Sequence, residues 1–411
     1  MAYIVPFGAV RPAKDEAATI AALPYDVYSR AEAYQKVKEQ PKSFLAIDRP
    51  ETQFAEDVDM YSDEVYEKAA SMLKEWMAEG RFIKDEQRFY YVYELTMDGR
   101  SQTGIVACAS IDDYLNGVIK KHENTRAEKE QDRIRHVDTC SAQTGPIFLA
   151  YRSDATIDSV VAKAKSRLPI YDFVAEDGIR HRCWVIDDMV TCALIATTFD
   201  KMDAIYIADG HHRAASAVKV GLKRREENPG YTGKEPFNFF LSVLFPDNEL
   251  KIYDYNRVVK DLNGLAEDEF LMELENVVDI VKTSDTAIHP EKKGQFSMYM
   301  DGTWYLLQVL DEFTSNDPVE GLDVSLLQNL VLEPLLDIDD PKTSNRIDFV
   351  GGIRGLAELE RRCNTDCKVA FAMYPTSISE LFEVADSGLL MPPKSTWFEP
   401  KLRSGLFIHL I

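Results

Sequence analysis

The sequence predicts an α+β fold of the mixed α/β kind, and three observations carry that prediction. Strand-like and helix-like segments alternate between residues 141 and 245, as a layered α/β arrangement requires. The run Phe237 to Phe245 is strongly apolar, which suits a strand in the middle of a sheet. Residues 203–220, DAIYIADGHHRAASAVKV, pass from a short apolar strand into an alanine-rich helical pattern across a polar turn. With 411 residues the chain exceeds one ordinary core. A core over 1–285 and a C-terminal α/β extension over 286–411 are expected, the latter contributing a basic loop to the site.

Taken in order, residues 3–10 read as a first strand, followed by a helix carrying Ala17, Ala18 and Ile20. Pro24 forces Leu23 toward an extended conformation. Ser29 is then the N-cap of a helix reaching about Glu39. That places Tyr25 and Asp26 on a connecting loop, where sites are commonly built. Residues 43–47 read as a strand, and 55–79 as a long amphipathic helix stopped by Gly80. Residues 88–96 and 102–110 form a hairpin around Met97-Asp98-Gly99-Arg100.

Lys120 to Asp138, KKHENTRAEKEQDRIRHVD, contains Thr125 and Glu128 in capping-box spacing. A polar helix over about 126–136 follows, with His122, Glu123 and Asn124 stacked just ahead of it. Strands are expected at 147–151, 168–174 and 181–186, with a helix at 156–166. Beyond about residue 264 helices are expected at 266–278, at 324–332 (capped by Asp323) and at 377–386, with a hairpin near 295–310 and a strand at 368–374. The glycines of 346–355 lack the Walker spacing and read as a turn. The tail MPPKSTWFEPKLRSG, 391–405, gathers Lys394, Lys401 and Arg403 with Ser395, Thr396 and Trp397. In an acidic chain this cluster suits a phosphate or nucleotide contact.

Composition excludes several classes. The chain has 45% hydrophobic and 28% charged residues and a formal net charge of −22. That balance describes a globular protein and disfavours nucleic acid or an anionic membrane as a partner. No stretch has the length of a membrane span and the start lacks a signal-peptide layout, so a cytoplasmic location is expected. Of the six cysteines only Cys363 and Cys367 are close in sequence, without a second pair in metal-ligand spacing.

The turn Asp209-Gly210-His211-His212-Arg213 holds the densest chemistry. A helix N-terminus presents unpaired N–H groups and the positive end of the macrodipole, which makes an anion site. Gly210 permits positive φ and close backbone approach. Arg213 can clamp phosphate oxygens in pairs. Asp209 is expected either to cap the helix or to reach the phosphate through Mg2+. Adjacent histidines project roughly 100° apart on a helix, so His211 and His212 are expected to have separate tasks.

DGHHR followed by an alanine-rich helix resembles the phosphate-binding motif of the free L-serine kinases, which share a core with ParB nucleotide hydrolases and sulfiredoxin. Together with PYDVYS at 24–29, KHENTR at 121–126, DYNRVVKDLNG at 254–264, RIDFVGGIRG at 346–355 and the 391–405 tail, the chain is similar to the bacterial and archaeal domain-of-unknown-function family ten-fifteen. The resemblance implies a ParB/sulfiredoxin-like core with large insertions. It also implies a kinase that uses ATP or ADP with Mg2+ to phosphorylate a small hydroxyl compound, free L-serine foremost. On that basis Glu123 is the expected general base, with Asp26 and Glu51 as alternatives, and His211 and His212 contact the terminal phosphate. Asp209, Gly210, Arg213, Lys394, Ser395, Thr396 and Lys401 join the histidines around the nucleotide. Tyr25, Asp26, His122, Asn124, Arg126 and Trp397 surround the acceptor. The alternative is a ParB-type nucleotide-binding and hydrolysing switch or scaffold that does not bind DNA.

Overall fold

The computed structural model describes residues 1–125 and 127–411. The fold is mixed α/β, in two compact units: Met1–Leu250 with Pro400–Ile411, and Lys251–Glu399. The division therefore falls at 250/251 and 399/400, whereas the expected boundary at 285 lies at the end of a strand within the second unit. Tail and core share a unit because the last residues add backbone pairs to the first one. His409–Leu410 pairs with Ala142–Gln143, Ser404 with Ala22, and Gly405 N–H donates to the Thr144 carbonyl.

In the first unit the strands are β1 (Ile4–Val5), β2 (Tyr90–Met97), β3 (Arg100–Ser110), β4 (Ile119–Lys120), β5 (Ile147–Tyr151), β6 (Tyr171–Val174), β7 (Arg180–Ile186), β8 (Ile205–Asp209) and β9 (Phe239–Pro246). Among the described residues they form one sheet in the order β4-β8-β5-β9-β3-β2-β7-β6, with β1 pairing the end of β3. The β4/β8 and β5/β9 pairs are parallel and the rest antiparallel. The β2/β3 hairpin closes on Asp98 and Gly99, both at positive φ, a two-residue turn whose twist matches the strands. β9 is buried along its whole length between two neighbours, as its apolar run requires.

The helices of this unit are α1 (Arg30–Glu39), α2 (Asp63–Ala78), α3 (Ala127–Cys140), α4 (Ala155–Lys165), α5 (Met189–Phe199) and α6 (His211–Glu227). Ser29 caps α1 in a reciprocal capping box with Glu32. One core packs Ile105, Leu149, Ile207 and Leu244 of the sheet with Ile157, Phe199 and Ala217 of the helices. A second core joins Phe44, Leu45 and Ile47 to Leu73 and Trp76 of α2. Two local expectations differ, and one helix, α5, carried no expectation. Residues 43–47 enter the short helix Leu45–Asp48 instead of a strand. The first strand is split into Ile4–Val5 and Val10–Pro12. α5 is uniformly apolar and carries no periodic sequence signal.

The second unit holds β10 (Tyr255–Val259), β11 (Val278–Ser284), β12 (Gln295–Met300), β13 (Thr303–Val309), β14 (Ile347–Gly351) and β15 (Val369–Met373). Their order is β11-β13-β12-β15-β10-β14, antiparallel throughout. Leu356 and Leu359 of α8 (Leu356–Cys363) pack on Val258, Trp304 and Ala370, while α7 (Glu267–Leu274) and α9 (Ile378–Asp386) complete the unit's main helices. The expected turn at 346–355 contains β14, because its alternation of Ile347, Phe349 and Gly351 pairs with β10. No helix among the described residues is long and apolar enough to cross a membrane.

Candidate phosphate-binding site in the first unit

β8 delivers Asp209 at its end, and α6 begins two residues later. The register of β8 against β5 shifts between Ile207 and Asp209, a bulge that re-aims the last strand residue. The N-cap is Gly210, at φ 93° and ψ 32°, so the expectation that Asp209 caps α6 is corrected. Asp209 is still in the strand, and its Oδ1 accepts the Gly210 N–H at 2.8 Å. The Arg213 guanidinium folds back over Gly210. A Cβ there would lie 3.1 Å from Nε and Nη2, so only glycine suits both the dihedral and the space. Arg213 Nη1 donates to the Pro146 carbonyl at 2.6 Å, which ties the guanidinium to the turn leading into β5.

Lys401 Nζ donates to Asp209 Oδ2 at 3.1 Å. Burial pushes the Asp209 carboxyl up, but the Lys401 and Arg213 cations outweigh it and hold the group well below the usual carboxylate range. Asp209 is thus an anion whose two oxygens are engaged by a backbone N–H and a lysine. Among the described residues no three His, Cys, Asp or Glu side chains gather around a common point. Asp209 stands as a single carboxylate, and Mg2+ is commonly held by one or two carboxylates together with substrate phosphates, so the residue fits that role only alongside a bound nucleotide.

His122, in the loop after β4, meets His211 edge to face with ring centres 4.5 Å apart. Both are buried, and among the described residues His122 Nδ1 and His211 Nε2 have no hydrogen-bond partner. Burial lowers His122 to about 4 despite Asp209 and a hydrogen bond to the Ile207 backbone. Burial, reinforced by His122, puts His211 well below its ordinary value. Both imidazoles are therefore neutral near pH 7. Glu123 Oε2 lies 3.9 Å from His211 Nδ1, with the carboxylate side chain 42% exposed. His212 is half-buried on the next helical position and Asn124 is exposed. Arg126 lies outside the described residues. α3 starts at Ala127, and Thr125 gives its hydroxyl to Glu130 at 2.6 Å rather than pairing with Glu128.

α3 and α6 are joined through polar groups. Ser216 Oγ donates to the His212 carbonyl at 2.7 Å and the Glu130 carbonyl at 3.2 Å, and Lys219 pairs with Glu130. On the other side of Arg213 a cavity of about 30 Å³, the size of one water, is lined by Tyr25, Asp48, Arg133, His136, Thr144 and Arg213 among others. Arg133 stacks 4.0 Å over the Tyr25 ring, and Asp48 accepts the Thr144 hydroxyl at 2.8 Å. Tyr25 is therefore brought to Arg213, while Asp26 beside it is exposed. Glu51 is buried in an ion pair with Arg49 at 2.6 Å. Asp48, Arg133 and His136 are functional candidates that the sequence reading passes over. The signal is the helical spacing of Arg133, His136 and Cys140, which marks a buried face within an otherwise polar helix.

The remaining tail residues belong to the second unit. Ser395 Oγ donates to the Pro392 carbonyl at 2.7 Å, so its hydroxyl serves its own loop. Trp397 packs on Gly351, where a Cβ would lie 2.9 Å from the indole, and lies 4.9 Å from the Tyr255 ring. Lys394 Nζ sits 5.4 Å over the Tyr255 ring, and Thr396 is half-buried.

Among solved structures the chain is similar to a mutant free serine kinase in complex with AMP, at 13% identity and TM-score 0.37, covering 74% of this chain and 91% of that one. It is also similar to SbnI with C-terminal truncation from Staphylococcus aureus, at 11% identity and TM-score 0.40, covering 74% and 87%. A conserved hypothetical protein from Pyrococcus furiosus matches at 14% identity and TM-score 0.36, covering 75% and 95%. No curated protein matches. The family described as "Protein of unknown function (DUF1015)" matches residues 4–325, well over half of the sequence, and the chain belongs to that family.

Proposed function

We propose that the protein is a nucleotide-dependent phosphotransferase whose acceptor is the hydroxyl of a small metabolite, free L-serine foremost, giving O-phospho-L-serine. The observation that carries this reading is the turn from Asp209 to Arg213. A glycine in the left-handed region opens a seventeen-residue helix, an arginine is folded over it, and a lysine is held beside it. Helix N–H groups, a guanidinium and an ammonium are the elements that cradle phosphate oxygens and stabilise the charge of a transferring phosphoryl group.

In this reading the nucleotide phosphates lie on the α6 N-terminus and Arg213. Asp209 orients Lys401, and a Mg2+ arriving with the nucleotide, which Asp209 could join, would neutralise phosphate charge. The acceptor oxygen forms the new P–O bond as the bond to the departing nucleotide breaks, ATP leaving ADP or ADP leaving AMP. Glu123 takes the hydroxyl proton. Its partial exposure lets an acceptor reach it, and neutral His211 beside it can pass it a hydrogen bond without competing for charge. His211 and His212 then contact the terminal phosphate, and Tyr25, His122 and Asn124 border the acceptor.

Phosphorus NMR of the protein with Mg2+ and ATP or ADP, with and without L-serine, tests the reading. It expects a phosphomonoester resonance that requires serine and one of the two donors. Nucleotide hydrolysis at the same rate with or without serine, and no phosphomonoester, contradicts it and favours a nucleotide switch.

A further inference from the structure

The second unit buries an arginine that has no acid. Arg257 of β10 is 3% exposed. Its guanidinium donates to the backbone carbonyls of Tyr255 and Lys394, the latter at 3.1 Å, and lies 5.4 Å from the Phe349 ring centre. Burial lowers it to about 10, with no carboxylate acting on it. Two carbonyls use two of the five N–H donors of a guanidinium and supply no compensating charge.

The neighbouring acids are occupied elsewhere. Asp254 Oδ2 accepts the Asn256 amide at 2.6 Å, and Glu399 Oε1 accepts the Trp397 indole N–H at 3.0 Å. Lys394, whose backbone carbonyl accepts from Arg257, supplies a second cation on the same loop. It is exposed, adopts φ 59°, and holds its ammonium 5.4 Å over the Tyr255 ring. Among the described residues it has no carboxylate partner either. This chain carries 69 acidic against 47 basic residues, yet among the described residues neither of these two cations has a carboxylate partner. A left-handed backbone at a non-glycine residue is the kind of local strain that recurs at ligand-binding loops.

We infer that Arg257 and Lys394 form a phosphate-binding site built from the second unit's own residues. A phosphate group carries close to two negative charges near pH 7 and balances two cations, whereas a carboxylate balances one. The guanidinium fork can engage two phosphate oxygens, and the mobile ammonium closes from the exposed side. The inference stands on residues of this unit alone and does not require the phosphotransferase reading.

The test is calorimetric titration of the full-length protein with inorganic phosphate at low ionic strength, for Arg213→Met, which removes the clamp of the Asp209–Arg213 turn, and for Lys394→Asn and Arg257→Met each made in that background. Asparagine tolerates the left-handed conformation, so Lys394→Asn removes the charge and keeps the loop. The expected result is phosphate binding that survives in Arg213→Met, weakens roughly tenfold or more when Lys394→Asn is added, as loss of one charge-assisted contact implies, and disappears when Arg257→Met is added. Should Arg257→Met fail to fold, Lys394→Asn decides alone. Phosphate affinity unchanged on adding Lys394→Asn to Arg213→Met, or no phosphate binding by Arg213→Met, overturns the assignment. Acetate competing as well as phosphate overturns the choice of ligand.

Discussion

Lys401 Nζ lies 3.1 Å from Asp209 Oδ2 and joins two residues 192 positions apart in sequence. The bond sets the charge of the Asp209–Arg213 turn. Asp209 alone would repel a phosphate, and with Lys401 and Arg213 beside it the turn presents net positive charge together with the α6 N-terminus. Lys401→Met should therefore weaken ADP binding by roughly 10- to 100-fold, the scale of one charge-assisted hydrogen bond plus an exposed carboxylate. Calorimetric titration with ADP checks it, and an unaltered dissociation constant would remove Lys401 from the site.

Glu123 separates binding from chemistry. Glu123→Gln keeps the shape beside His211 and removes the proton acceptor. Serine-dependent turnover should fall by roughly 10²- to 10⁴-fold while the nucleotide dissociation constant changes little. Parallel losses in turnover and nucleotide affinity would assign Glu123 to binding instead.

Gly210 tests the geometry of the turn. Alanine there would sit at φ 93° with its Cβ 3.1 Å from the Arg213 guanidinium. Gly210→Ala should cost about 1–3 kcal/mol of stability and displace Arg213, lowering both the melting temperature and nucleotide affinity. Wild-type affinity in a correctly folded Gly210→Ala protein would show that the arginine position does not matter.

A pH dependence follows from the second unit. Burial pushes the Asp323 carboxyl up to about 7, with Glu380 adding to it, while the Gly294 N–H at 2.8 Å and Lys293 oppose. The unfolded carboxyl titrates near ~3.9, so between about pH 4 and pH 7 the native state binds more protons than the unfolded one. The contribution of this group to stability is full at the acid end and is lost as pH rises through 7. Asp323→Asn keeps an oxygen for Gly294. It should melt higher than wild type at pH 8, by a few kcal/mol in order of magnitude, and the two proteins should converge toward pH 4. Parallel melting curves across that range would contradict the raised carboxyl.

The start of α1 and the Asp209–Arg213 turn were legible because their signals are local. Ser29 and Glu32 announce the start of α1 three residues apart, and Gly210 between an apolar strand and an alanine-rich helix announces the turn. What stayed hidden depends on distant parts of the chain. Only the family resemblance, and no residue near Asp209, put Lys401 in the same site, and the cap passes to Gly210 because a bulge keeps Asp209 in the strand. Leu45–Asp48 is an apolar run too short for periodicity to separate helix from strand, and α5 is apolar all round. The acid-free burial of Arg257 is a property of packing, since its sequence neighbour Asp254 is only three residues away and turns to Asn256.

The most direct measurement is the ADP dissociation constant of wild type against Arg213→Met by calorimetry, with the fold of both checked by circular dichroism. The account predicts that removing the guanidinium folded over Gly210 weakens binding by roughly 10- to 100-fold or more, in line with the loss of a paired phosphate clamp. Equal affinity in the two proteins would contradict the claim that the Asp209–Arg213 turn holds nucleotide phosphate.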